Sequence, residues 1–400
     1  MTRPSFDLPA GTGVLPSSTE DTRTNDDITA ALANPPSEVT SQKNIWAFWD
    51  KGFDELRGWQ KRNVIGWARK LGPSWTVRVL DCAPGSPSNV LNYLDPATLP
   101  EAVVNCSMTE AHSGQHLSDL VRLPLLHRYG GIYLDIGVFL LGDLEGSLWN
   151  KIVDPASDYR IGGFAHQHRK NSWGSLQNFC IVAQRGEEAL QVWQRILLEV
   201  WKGRTSSQGL VEHPVFDGVP AEINPRVLMT IKPGSEADLM DYWVNLLGWE
   251  KLKVTVDAAR GFNGPEYVRK HALLLDPMQE SFAAEVRTRL NTFRLFQMLT
   301  CPRDAHAPGV DPALHAEAKA LVDYLLTSST VLKLYHGHGH MLAPPLATFW
   351  DAPGNEDADA RPGTFGEYLR YVGETVDQKR EVQPLVLPAY DGPVLYKPLP

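Results

Sequence analysis

Cysteine is scarce in this 400-residue chain, and its four copies, Cys82, Cys106, Cys180 and Cys301, stand far apart. No C-x-x-C pair exists, which excludes the common zinc modules and leaves no disulfide framework to read. The thiols are expected to be reduced and buried. Long apolar runs are missing too. No window approaches the roughly 20 apolar residues of a membrane-spanning helix, and residues 1–42 lack the apolar core of a secretion signal, so a cytoplasmic protein is expected. Basic runs are also absent: 38 Lys and Arg face 47 Asp and Glu, a net charge of -9, which argues against a nucleic-acid partner. Neither a G-x-G-x-x-G following a strand, nor a P-loop lysine motif, nor a G-x-S-x-G elbow occurs. Dinucleotide oxidoreductases, ATPases and serine hydrolases of the usual kinds therefore lack support. What remains is an ordinary globular composition, long enough to bury a full core.

Along the chain, residues 1–42 are rich in Pro, Ser, Thr, Asn and Asp and read as a flexible arm. Residues 44–49 (NIWAFW) suit a central strand. Residues 53–71 place apolar groups at helical spacing up to Gly72-Pro73, and residues 75–80 form a second strand ending at Asp81. Strand, helix and strand with short connections predict a parallel βαβ unit. A helix is expected to end at Tyr129, with Pro124 kinking it or starting a new turn. Short strands follow at 132–135, 138–141 and 178–183, then a helix at 187–201. Further helices are expected near 236–247, 279–299 and 313–327, and a late strand over 331–340 returning to the site. The expected organisation is an arm (1–42), an α/β domain (43–350) and a loop-rich tail (351–400) with one short helix near 365–372. Within the domain, residues 43–145 form a first half and 146–350 a helical second half.

The densest signal is Ser118-Asp119-Leu120-Val121-Arg122 followed by Arg128-Tyr129-Gly130-Gly131-Ile132-Tyr133-Leu134-Asp135. Asp119 and Arg122 lie one helical turn apart and share a face. The two glycines permit a tight reversal, and Asp135 marks the end of a short apolar strand, where α/β sheets place their ligands. The arrangement S-D-x-x-R, short helix, G-G-[IV]-[YW]-[LI]-D resembles the glycosyltransferases grouped with capsular polysaccharide synthesis proteins. These are relatives of the DxD-containing fungal mannosyltransferases and clostridial toxin glucosyltransferases. The chain departs from the toxin-like branch at one point, where Gly137 stands in place of the second aspartate of DxD.

The resemblance implies a GT-A type, Rossmann-like, mostly parallel sheet flanked by helices. It also implies transfer of a sugar from a nucleotide donor, a UDP-sugar by expectation, to a hydroxyl acceptor with retention of configuration. The catalytic residues carried over are Asp119, Arg122 and Asp135. Asp119 would meet the sugar hydroxyls, Arg122 the sugar or diphosphate, and Asp135 the diphosphate through Mn2+ or Mg2+. Trp46, Asp81, Ser118 and Tyr133 would line the donor pocket, and Asn178 the acceptor side. Read from the residues alone, Trp46 and Tyr133 suit core packing equally, and Asp119 and Arg122 form an ordinary intrahelical ion pair.

One carboxylate makes a weak metal site, and His336, His338 and His340 alternate with glycines, so a strand would present three imidazoles on one face. They are the expected additional metal ligands, alongside Asp135. The residues leave two other functions open: a sugar-nucleotide-binding protein that has lost catalysis, and a metal-dependent hydrolase built on the histidines. The acceptor stays open among glycan, protein and small natural product, in glycan or secondary-metabolite biosynthesis.

Overall fold

A computed structural model describes residues 7–16, 21–110, 112–166, 173–220, 229–334 and 340–400. In the elements that position the site, β1 (Asn44–Phe48) leads through α1 (Gly58–Leu71) to β2 (Thr76–Leu80). Helix α2 (Ser113–Tyr129) then feeds β3 (Gly131–Leu134) and the short β4 (Val138–Leu140). Strands β5 (Ile161–His166) and β6 (Ser175–Ala183) precede α3 (Glu188–Val200). Later come α4 (Glu236–Tyr242), α5 (Val244–Val254), β7 (Ala272–Leu275), α6 (Thr292–Thr300), α7 (Pro312–Ser328), β8 (Val331–Lys333) and α8 (Phe365–Thr375).

The central sheet has six strands in the order β7-β5-β6-β3-β1-β2. Strand β1 is parallel to both β2 and β3, and β7 is parallel to β5. Strand β6 runs antiparallel between β3 and β5, so the sheet is mixed. Both of its faces are covered. Trp46 and Tyr133 point into one apolar layer, while Ile45, Ala47, Ile132 and Leu134 point into the other. That alternation explains why these strands read as continuous apolar runs rather than amphipathic ones. The architecture is α/β, consistent with a GT-A-like Rossmann fold. Because the chain leaves β1 for β2 on one side and returns to β3 on the other, the carboxyl ends of β1 and β3 form the switch point at which open α/β sheets receive their ligands.

Helix α2 passes through Pro124 without ending. Proline leaves the Leu120 carbonyl without its helical donor. Gln194 of α3 lends Nε2 to that oxygen at 3.4 Å, so a packing partner replaces the lost bond. The reversal into β3 needs glycine at both positions. Gly130 and Gly131 have φ of 71° and 107°, and a Cβ on Gly131 would sit 2.4 Å from the Asn44 carbonyl.

Several expectations are corrected. The arm holds an ordered helix, Asn25–Ala33, capped by a reciprocal Thr24–Asp27 box and burying Ile28 and Leu32. Its strand Thr12–Val14 pairs with Val376–Gln378. The single helix expected at 279–299 is broken into three short ones, the last break falling where Arg289 and Leu290 take positive φ (53° and 63°). Strands β5 and β7 were not foreseen; the bulged, Gly-containing β5 (Ile161–His166) and the all-buried β7 lack the alternation that marks a strand. The tail is fastened to the domain, with Arg370 and Arg62 both paired to the buried Asp359.

Candidate active site

At the carboxyl end of β3, four charged side chains converge. Asp135 Oδ2 accepts from Lys333 Nζ at 2.7 Å, and its Oδ1 accepts from Arg122 Nη2 at 3.4 Å. Arg122 Nη2 also pairs with Asp119 Oδ1 at 2.8 Å and donates to Ser118 Oγ at 2.7 Å. The Arg122 Nε donates to the Ser118 carbonyl at 3.2 Å and Nη1 to the Asn178 carbonyl at 2.5 Å. The guanidinium lies 4.5 Å over the Tyr133 ring, whose hydroxyl bonds Ser118 Oγ at 2.6 Å. Arg122 is only 2% exposed. With every nitrogen given a protein partner, it is placed as a strut between both aspartates.

Asp119 is further held by Asn178 Nδ2 at 2.9 Å, and its backbone carbonyl accepts from Asn245 Nδ2 at 3.1 Å. Trp193 of α3 fixes Asn245 by donating to its carbonyl. Thus α2, β6 and α5 are joined around one carboxylate. Burial, with the Asp135 charge adding to it, pushes the Asp119 carboxyl up to about 7 despite Arg122. At Asp135, burial acts in the same upward direction, but Lys333 and Arg122 outweigh it and hold the carboxyl below its ordinary value. The Tyr133 hydroxyl is raised by burial and stays protonated.

Lys333 reaches Asp135 from 198 residues away in sequence. Strand β8 pairs antiparallel with β4, placing Lys333 opposite Val138, and Leu334 N–H donates to the Gly137 carbonyl at 2.6 Å. This approach also explains Gly137. A Cβ there would lie 2.2 Å from the Leu334 carbonyl oxygen, so no second aspartate fits at that position.

The remaining predicted residues are mostly enclosed by protein. Trp46 is fully buried: its indole donates to the Gly130 carbonyl at 2.9 Å, and its ring packs on Tyr129 and Tyr93. Its placement is core packing rather than a free face for a base. Tyr133 and Ser118 are likewise enclosed beneath Arg122. Asp81 is 3% exposed and organises its own loop, accepting from Ser86 Oγ and the Ala83 N–H; burial raises its carboxyl. Trp49 is half-buried at the end of β1.

His336 and His338 lie outside the described residues. His340 is described and packs beside His112 and Tyr242, with ring centroids 5.5 and 6.1 Å away. His112, His116 and Asp119 fall at i, i+4 and i+7 along α2, a stripe that reading by motif alone passed over. His116 is fully enclosed, 3.6 Å from Glu110 Oε1 and 3.9 Å from Asp119 Oδ2, and burial pushes its imidazole down to about 3, so it is neutral. Among the described residues, no three His, Cys, Asp or Glu side chains form a metal-binding group. Around Asp135 the described partners are an ammonium and a guanidinium. That donor set does not fit a divalent cation, since two cations already hold its carboxylate.

At the switch point of this α/β sheet a buried aspartate–lysine–arginine centre is thus assembled from three separate elements. Comparison with known proteins gives the class. Residues 21–211 match the family model described as capsular polysaccharide synthesis protein. Glycosyltransferase afumC of Aspergillus fumigatus is 38% identical over 364 residues, covering 90% of this chain and 91% of the relative. O-glycosyltransferase braB of Annulohypoxylon truncatum is 37% identical over 98% of this chain and 93% of its own length. O-glycosyltransferase PaGT of Phomopsis amygdali is 31% identical over 98% and 97%. The chain therefore belongs to the capsular polysaccharide synthesis protein-like glycosyltransferases. As such it acts on a sugar donor and an acceptor. Among the described residues no helix is long and apolar enough to cross a membrane.

Proposed function

We propose that this GT-A glycosyltransferase moves a hexosyl group from a nucleotide sugar, a UDP-sugar, to a hydroxyl oxygen with retention of configuration. The observation that carries the reading is the buried Asp119–Arg122–Asp135 constellation at the carboxyl end of β3, where an open α/β sheet receives its ligand. Two relatives named O-glycosyltransferases support a hydroxyl acceptor. Asp119 and Asp135 would accept hydrogen bonds from donor-sugar hydroxyls, and Arg122 would hold both carboxylates in register. Fixing acceptors in advance lowers the ordering cost when the sugar enters.

Both aspartates accept from one guanidinium nitrogen, an arrangement that suits holding sugar hydroxyls better than attack on the anomeric carbon. A front-face substitution follows. The acceptor oxygen bonds to C1 on the side from which the diphosphate departs, the C1–O electron pair stays on the diphosphate, and the acceptor proton passes to a phosphate oxygen. A mass-spectrometric screen of nucleotide sugars for hydrolysis by the full chain tests the reading. Turnover of one UDP-sugar is expected. A chain that hydrolyses none of them and binds no nucleoside diphosphate would sink it.

A further inference from the structure

We propose that Lys333 is the resident cation of the donor site: its ammonium occupies the position where a divalent metal would bridge the donor diphosphate, so that donor binding does not depend on added metal. The inference rests on the nucleotide-sugar reading above and adds to it the group that meets the diphosphate.

Three observations place the charge. The Lys333 Nζ lies 2.7 Å from Asp135 Oδ2, the carboxylate that would otherwise ligate a metal. A Cβ built on Gly137 would lie 3.7 Å from that same Nζ, so the ammonium sits beside the place from which a second acid would project. The backbone excludes such an acid outright, because the Leu334 carbonyl stands 2.2 Å from that Cβ. The loss of the second acid and the arrival of the ammonium thus come from one structural event, the pairing of β8 with β4.

The ammonium is also held in place. Lys333 is 8% exposed, its N–H donates to the Ser281 carbonyl, and Nζ lies 5.4 Å over the Phe179 ring. An ammonium carries three donors. One is directed at Asp135, and the ammonium beside it is the kind of compact point charge that lysine supplies in many phosphate sites. In the transfer, the C1–O bond breaks and its electron pair goes to the diphosphate oxygen. Lys333 would stabilise that growing charge without giving up a proton, while the acceptor proton neutralises the phosphate.

The test is calorimetric titration of the full chain with UDP, UMP and GDP, in chelator and in Mn2+. The wild type is expected to bind UDP in chelator, with Kd changing by less than about threefold on adding Mn2+. Lys333→Met should weaken UDP by about tenfold or more, as expected for a lost charge-assisted contact, and leave UMP within about threefold. Lys333→Arg, which keeps the charge, should retain UDP better than Lys333→Met does. A shared thermal unfolding midpoint would confirm that the variants are folded. If Lys333→Met does not fold, the wild-type titrations alone decide. UDP binding that appears only with Mn2+, or a folded Lys333→Met that binds UDP normally, overturns the assignment while leaving the glycosyltransferase reading in place. Binding of GDP but not UDP would change the base and leave the same comparison to be made with GDP and GMP. Absence of binding by both diphosphates in both media, with no nucleotide sugar hydrolysed, would overturn the donor reading itself.

Discussion

Replacing Gly137 with alanine is the sharpest single perturbation available. The added Cβ would meet the Leu334 carbonyl oxygen at 2.2 Å, whereas real Cβ contacts essentially never fall below 3.0 Å. The β4–β8 ribbon must therefore open by at least 0.8 Å, the difference between those two distances. If β8 moves as a unit along the line of the contact, that minimum opening takes the 2.7 Å Lys333–Asp135 distance to about 3.5 Å, at the edge of hydrogen bonding. The Leu334 N–H to Gly137 bond would stretch with it. Overpacking of this kind costs about 1–3 kcal/mol, and a weakened backbone bond adds roughly 1 kcal/mol. The reduced freedom of the unfolded chain returns only about 0.4–1 kcal/mol, so a net loss is expected. Chemical denaturation should show a lower midpoint, and calorimetry a weaker UDP affinity in the folded variant. Gly137→Asp, although it introduces the second acid of the DxD-containing branch, should be worse because the larger side chain meets the same carbonyl. An unchanged midpoint together with normal UDP binding in Gly137→Ala would refute the steric account of this position.

Two further outcomes are expected. Arg122→Lys should not be conservative: a single ammonium cannot span Ser118, Asp119, Asn178 and Asp135 at once. Initial-rate kinetics should show kcat falling by on the order of 100-fold, as for loss of a preorganising group, and a thermal midpoint below wild type; near-wild-type kcat would contradict the strut role. Glu285, whose Oε2 is enclosed without a hydrogen bond, has its carboxyl pushed up to about 7 by burial. A raised folded value means its stability contribution is fully present below about 4.5 and lost as pH rises through about 7. Thermal unfolding of Glu285→Gln compared with wild type should show a gain of about 1–2 kcal/mol at pH 8 that vanishes near pH 4; a pH-independent difference would show that the carboxyl ionises freely.

The residues within the helix-turn-strand were legible in the sequence because their geometry is local. Asp119 and Arg122 meet by helical periodicity, and Gly130-Gly131 returns the chain so that Asp135 ends a strand packed beside that helix. Their mutual contact needs nothing from distant parts of the chain. The strands β1 and β2 were legible for a similar reason, being bounded runs joined by one amphipathic helix. Strand β7 and the broken region before α6 were not, since uninterrupted burial and two left-handed non-glycine residues leave no periodic trace. Trp46 shows the converse limit: an apolar strand residue carries the same signal whether its ring faces a ligand or a neighbouring tyrosine.

Residue order by itself determined the α/β class, the family resemblance and the local core of the site, because each depends on spacings of a few residues. Tertiary structure alone decided what accompanies Asp135. The absence of a second aspartate was visible as Gly137, but what crowds that position is a carbonyl 197 positions later, and the ammonium beside Asp135 comes with the same strand. A β-ladder between segments that distant is specified by the packing of the whole domain, so no local pattern announces it. Lys333 in sequence is one lysine among others; in the fold it joins Arg122 on Asp135.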